Sequence, residues 1–177
     1  MPKVIIINGH GTAGKDTFID KFAEVAEEIY GDALPVFRFS SVDEVKEYAT
    51  LLGWDGVKDD KGRRFLSDIK DSLTRYNDAP FSYMKKKHDE VERLGSHSVI
   101  FFHVREPEEI ARAVKEFNAT TILLERECAT AFTNHADTGV YDYTYDYYVR
   151  NYGTISDLKA TARVIFGELF PTATARG

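Results

Sequence analysis

The stretch "IIINGHGTAGKDTF", running from Ile5 to Phe18, fits two phosphate-binding patterns at once. As Gly9-x-Gly11-x-x-Gly14 it is the dinucleotide fingerprint, and as Gly9-x-x-x-x-Gly14-Lys15 it is a Walker A loop. The two readings make different demands further along the chain. A dinucleotide site needs an acidic side chain at the end of the second strand to hold a ribose diol. Here that strand ends "FRFSS" (37–41), with Asp32 before it and Asp43 beyond it. A Walker loop needs a lysine directly after the last glycine, where its ammonium reaches the terminal phosphates. Lys15 stands there, between a β-branched run and a helical pattern, so the Walker reading prevails. One feature departs from the strict motif: Asp16 occupies the Ser/Thr position, and the hydroxyl comes one place late at Thr17.

The physical reason for such a loop is electrostatic. A triphosphate is polyanionic, and a glycine-rich path lets successive backbone N–H groups point inward while a helix N-terminus adds partial positive charge. The expected phosphate cradle is therefore Gly9, His10, Gly11, Thr12, Ala13, Gly14, Lys15, Asp16 and Thr17. For the accompanying Mg²⁺ the candidates are Asp16, binding the ion or one of its waters, and Thr17 through its hydroxyl, with Asp16 then serving as a helix-end carboxylate.

Working outward, strands and helices alternate. Strands are expected at 3–8, 34–39, 98–104, 120–125 and around 145–150. Helices are expected at 15–30, 41–53, 65–76, 84–95, 107–117 and 156–170, with Ser40 or Ser41 as the N-cap of the second and Gly53 closing it. This alternation implies right-handed crossovers, hence a three-layer α/β P-loop NTPase fold with a mainly parallel sheet of about five strands flanked by helices. Ligands bind at the carboxyl ends of such strands, where Ser40, Arg105, Arg126 and Asn151 fall. The Tyr-rich segment "YDYTYDYY" (141–148) has the period of a half-buried strand and its approach.

Composition narrows the function classes. The 177 residues suit one domain, since a chain of about 150 residues buries roughly 70% of its unfolded surface. Cys128 is the only cysteine, which excludes an internal disulfide and suits a cytoplasmic protein. The formal net charge of -6 argues against a protein that coats nucleic acid, and the apolar run before Gly9 is too short for a membrane span. Within the single domain, 53–97 is expected to be a helical insertion that binds the acceptor, and 127–142 a lid or loop.

The loop "GTAGKDT" (11–17) resembles that of the phage and bacterial deoxynucleoside monophosphate kinases, where Asp likewise follows the lysine, and more distantly dephospho-coenzyme A kinase and animal phosphomevalonate kinase. "FSSVDEVKEYA" (39–49) is similar to the family's second strand and next helix, implying Lys46 near the acceptor. "VIFFHVREPEEI" (99–110) resembles its "DVR-x-P-x-E" stretch, carrying over Arg105, Pro107 and Glu109. "TTILLERE" (120–127) brings Arg126, and "DYYVRNYGTISDL" (146–158) resembles an ending that implies Asn151 and Gly153 near adenine. One departure stands out: His103 occupies the place of an acid often assigned to Mg²⁺ or catalysis.

The resemblance implies an ATP- and Mg²⁺-dependent kinase acting on a small phosphorylated acceptor, a nucleoside or deoxynucleoside monophosphate above all. On that resemblance Lys15, Arg105 and Arg126 would be catalytic and Lys46 would lie near the acceptor. The middle block 53–84 does not match the family's acceptor-binding segment. There the residues' own placement makes Arg63 and Arg64 at a helix start and Lys70 on the Arg63 face, with Ser40 at a strand end, the further acceptor-binding candidates. Arginines suit that task because a planar fork grips two phosphate oxygens. A nucleotide-binding switch without turnover and a kinase for a non-nucleotide acceptor stay open, with an NAD-dependent oxidoreductase least favoured.

Overall fold

In the computed structural model, residues 1–95, 97–126 and 139–171 are described. The continuous apolar run of β1 (Lys3–Asn8) is a central strand, and α1 (Lys15–Tyr30) follows directly from the phosphate loop. The chain continues through β2 (Val36–Ser40), α2 (Asp43–Leu51), α3 (Asp60–Asn77) and α4 (Ala79–Glu92). It then runs through β3 (Val99–His103), α5 (Pro107–Phe117) and β4 (Thr120–Glu125), and after a 3₁₀ turn at Gly139–Tyr141 closes with β5 (Tyr147–Arg150) and α6 (Ile155–Leu169).

All five strands are parallel, in the order β2-β3-β1-β4-β5. Because side chains alternate across a strand, β1 feeds two cores. Ile5 and Ile7 pack with Phe18, Phe22, Phe101, Leu124 and Phe166 on the α1/α6 face. Val4 and Ile6 pack with Phe81, Met84, Ile100, Phe102 and Ile110 on the α4/α5 face. Phe22 sits edge-on to Phe101 with ring centroids 5.1 Å apart, and its truncation to Ala would cost about 3–5 kcal/mol.

Several boundaries differ from the sequence expectation. α2 is capped by Val42 rather than Ser40 or Ser41, with no side-chain cap: the Asp43 carboxylate instead accepts from the Ser40 N–H at 2.7 Å. α3 starts at Asp60, not Phe65, because Asp59 accepts from the Gly62 N–H at 2.7 Å. It stops at Asp78 in the left-handed conformation (φ 56°), after which α4 starts at once, since Pro80 is tolerated in a first turn. Of the Tyr-rich segment, only Tyr147 and Tyr148 lie in β5. The expected lid at 127–142 is described only from Gly139 onward, and residues 127–138 lie outside the described residues. No helix among the described residues is long and apolar enough to cross a membrane.

Candidate phosphoryl-transfer site

The 9–15 loop leaves the carboxyl end of β1 and enters α1 through Gly14, whose φ of 95° is left-handed. Gly9 has φ 143°, and a Cβ there would stand 2.2 Å from the Leu124 carbonyl oxygen in β4. No L side chain adopts that conformation readily, and backbone blocks the space. Gly11, by contrast, has nothing within 4 Å of where a Cβ would stand, so only a ligand would demand its smallness. The Lys15 ammonium folds back to donate to the Gly9 and His10 carbonyls at 2.6 and 2.8 Å. On the other side of the loop Asn151 Nδ2 donates to the Ala13 carbonyl at 2.9 Å, and His10 Nε2 lies 3.3 Å from the Tyr141 hydroxyl.

Beside Lys15 opens a cleft of about 570 Å³, walled by the ends of β1, β2 and β3 and by α2 and α3. Its lining includes Lys15, Arg38, Lys46, Lys58, Arg63, Lys70 and Arg105 against Asp16, Asp43 and Glu106. A chain of net charge -6 thus gathers basic side chains in one concavity. Clustered cations between low-dielectric walls focus a positive potential, which draws anions.

The acids in the cleft already have partners. Asp16, 75% exposed, has Arg38 Nη1 and His103 Nε2 each 3.4 Å from its Oδ1. Arg38 is also held by Asp20 at 3.2 Å. Asp43 binds the Lys46 ammonium at 2.8 Å. Lys70, only 8% exposed, is held by Glu106 and, at 2.9 Å, by Glu109, so it clamps α3 onto the start of α5. Burial pushes the Glu109 carboxyl above its usual range despite Lys70. Burial also drives the His103 imidazole down to about 4, against the opposing pull of Asp16, so at neutral pH it is an uncharged hydrogen-bonding group.

The sequence-selected residues therefore separate into groups. Ser40, Lys46, Arg63, Lys70 and Arg105 line the cleft together with Gly11, Thr12, Lys15 and Asp16. Arg64 is exposed, one residue out of phase with the lining face of α3, and Arg126 is exposed just past β4; neither is part of the lining. Thr17 is half-buried and also outside it, whereas Asp16 lines the cleft with Asp43 and Glu106, the three carboxylates of the lining. Gly153 has a local requirement: a Cβ there would meet Asp157 Oδ2 at 2.5 Å, and Asp157 forms the capping box of α6 with Thr154.

Sequence reasoning missed Arg38, Lys58 and Asn8. Arg38 carried a usable signal, since it lies on the same side of β2 as Ser40, two residues before the strand's carboxyl end. Among the described residues one further group, His88, Asp89 and Glu92, brings ligand atoms within 4.8 Å, although His88 shows no metal spacing in the sequence. These residues lie on α4 and its end, away from the cleft.

No family model and no curated protein matches the chain. Solved structures do. The thymidylate kinase of Ehrlichia chaffeensis is 14% identical with a TM-score of 0.50, covering 93% of this chain and 98% of its own. The shikimate kinase of Aquifex aeolicus vf5 is 9% identical (TM-score 0.45, covering 96% and 99%), and a sugar kinase of Janibacter sp. HTCC2649 is 10% identical (TM-score 0.47, covering 98% and 96%). With the parallel five-stranded sheet, the first of these establishes the three-layer P-loop kinase fold.

Proposed function

We propose that this chain transfers the γ-phosphoryl group of ATP, with Mg²⁺, to a small phosphorylated acceptor, most simply a nucleoside or deoxynucleoside monophosphate. The observation that carries the reading is the basic cleft running from Lys15 and Asp16 to Arg63 and Arg105 at the carboxyl ends of β1 to β3. In this reading the loop amides and Lys15 hold the β and γ phosphates, and Asp16 faces the magnesium ion, which when bound neutralises phosphate charge. Arg38 then stays with Asp20. Arg63 and Arg105 hold the acceptor phosphate, one of whose oxygens attacks the γ-phosphorus as the bond to the β–γ bridging oxygen breaks and ADP leaves. An anionic phosphate oxygen needs no deprotonation, so the protein's task is positioning and charge stabilisation. A neutral His103 fits that task as a hydrogen-bond partner rather than a base.

One observation favours a second reading. Among the described residues Phe39 is the only Phe, Tyr or Trp in the cleft lining, which leaves little surface for stacking a base and suits a phosphorylated non-nucleotide acceptor. ADP formation from MgATP separates the two, measured with a panel of ribo- and deoxynucleoside monophosphates on wild type and Lys15→Ala. Stimulation by orders of magnitude with one monophosphate, abolished by Lys15→Ala, supports the first. MgATP binding without stimulation by any of them refutes it and leaves the second.

A further inference from the structure

Asn8 ends β1 and is fully buried, yet its side chain makes three hydrogen bonds to two distant segments and the phosphate loop. Its Oδ1 accepts from the Gly9 N–H at 2.8 Å. Its Nδ2 donates to the Arg105 carbonyl at 3.0 Å and to the Tyr145 hydroxyl at 2.7 Å. Tyr145, 4% exposed, donates in turn to the carbonyl of Val140, itself fully buried, at 2.9 Å. The direction of this chain is forced, because a carbonyl only accepts: the phenol proton goes to Val140 and a phenol lone pair takes the Asn8 N–H. Burial pushes the Tyr145 phenol up to about 12, so it keeps that proton throughout the neutral range.

An amide buried here carries a desolvation cost that an aliphatic side chain of similar size avoids. What it supplies instead is fixed geometry between three pieces of backbone. Those pieces are the first residue of the phosphate loop, the corner carrying Arg105 into the cleft, and the 139–141 turn, whose Tyr141 reaches back to His10.

We infer that Asn8 is a positioning residue that joins the phosphate loop, the Arg105 corner and the 139–141 turn into one unit, with Tyr145 as its second arm, so that nucleotide bound at the loop orders both other segments. This rests on the nucleotide-binding reading of the loop. Coupling of this kind is a free energy shared between sites, and it has to be measured as such.

Asn8→Asp keeps the acceptor for the Gly9 N–H and removes both donated bonds at almost unchanged volume. Tyr145→Phe removes the hydroxyl that joins Asn8 to Val140, both its bonds with it, and leaves the Asn8 bonds to Gly9 and Arg105 in place. The experiment is amide hydrogen exchange of the full chain with and without MgADP, with MgADP affinity measured by calorimetry on the same samples. In wild type, MgADP slows exchange in peptides over 104–108 and 139–145 by tenfold or more. In Asn8→Asp, compared at MgADP concentrations that calorimetry shows to saturate the variant, both slowings shrink below threefold. In Tyr145→Phe the slowing at 139–145 is lost and that at 104–108 is kept, a selectivity that general loosening of the core would not produce. The inference is overturned if Asn8→Asp keeps both slowings, or if Tyr145→Phe loses both or neither; should Asn8→Asp not fold, the Tyr145→Phe result decides. Wild type that binds MgADP with unchanged exchange at both segments sinks this inference alone. Wild type that does not bind MgADP sinks the nucleotide reading together with it.

Discussion

Gly9 and Gly11 stand two residues apart in one loop, and the structure assigns them different reasons for being glycine. Gly9→Ala places a methyl 2.2 Å from the Leu124 carbonyl oxygen, in a strand that pairs with β1, at φ 143°. Backbone held in a region reserved for glycine costs about 1–3 kcal/mol. Forcing a methyl into a packed site adds about 1–3 kcal/mol, so the total is roughly 2–6 kcal/mol. For a chain of this size each kcal/mol moves Tm by about 2–4 °C, which gives a fall of roughly 4–24 °C. Gly11→Ala meets nothing within 4 Å, so its stability should stay within about 0.5 kcal/mol of wild type, while on the proposed nucleotide reading MgADP binding suffers because the methyl would stand where the phosphates are held. Urea denaturation, read as a change in midpoint at constant slope, with MgADP calorimetry beside it, tests both halves. Equal stability losses in the two variants would refute the steric argument, and unimpaired MgADP binding by Gly11→Ala would refute the placement of the phosphates.

Two further outcomes follow from the buried charges. Lys70→Met leaves Glu106 and Glu109 without their cation; breaking a buried pair costs about 3–5 kcal/mol, and since Glu106 is 40% exposed, about 1–3 kcal/mol is expected here. Glu109 already has a raised folded pKa, so the variant's stability should fall as pH rises from 4.5 upward, and chemical denaturation at pH 5 and pH 8 should show the larger deficit at pH 8. His103 titrates near 6.5 in the unfolded chain and about 4 in the fold, so below 6.5 the unfolded state binds the extra proton. Stability should therefore drop by up to about 3 kcal/mol as pH falls from 6.5 to 4. In metal-free buffer, His103→Asn should flatten that slope, and an unchanged slope would show that another group causes it.

Much of the fold was legible because its signals are local. "KVIIIN" reads as a strand covered on both faces, and the structure bounds β1 at Lys3 and Asn8, as expected from the run itself. The loop, its lysine and α1 were readable for the same reason: spacing along the chain is what a phosphate cradle requires. The helix starts at Asp60 and Ala79 were not readable by apolar period, because a capping carboxylate and a first-turn proline set them rather than a buried face.

The site was legible only in part. Arg63 and Arg105 stood out by residue type and position, and both line the cleft. Lys70 stands out in the sequence for its charge on the α3 face, but that charge is taken up by Glu106 and Glu109, 36 and 39 residues away. Tyr145 reads as part of an alternating strand, yet it lies before β5 with its hydroxyl on Asn8, 137 residues away. By itself, the sequence determined the strand and helix inventory and the phosphate loop, since those depend on neighbours a few residues apart. Only the tertiary structure decided the strand order, the walls of the cleft and which charges line it or pair with one another, because each depends on side chains that become neighbours when the sheet forms.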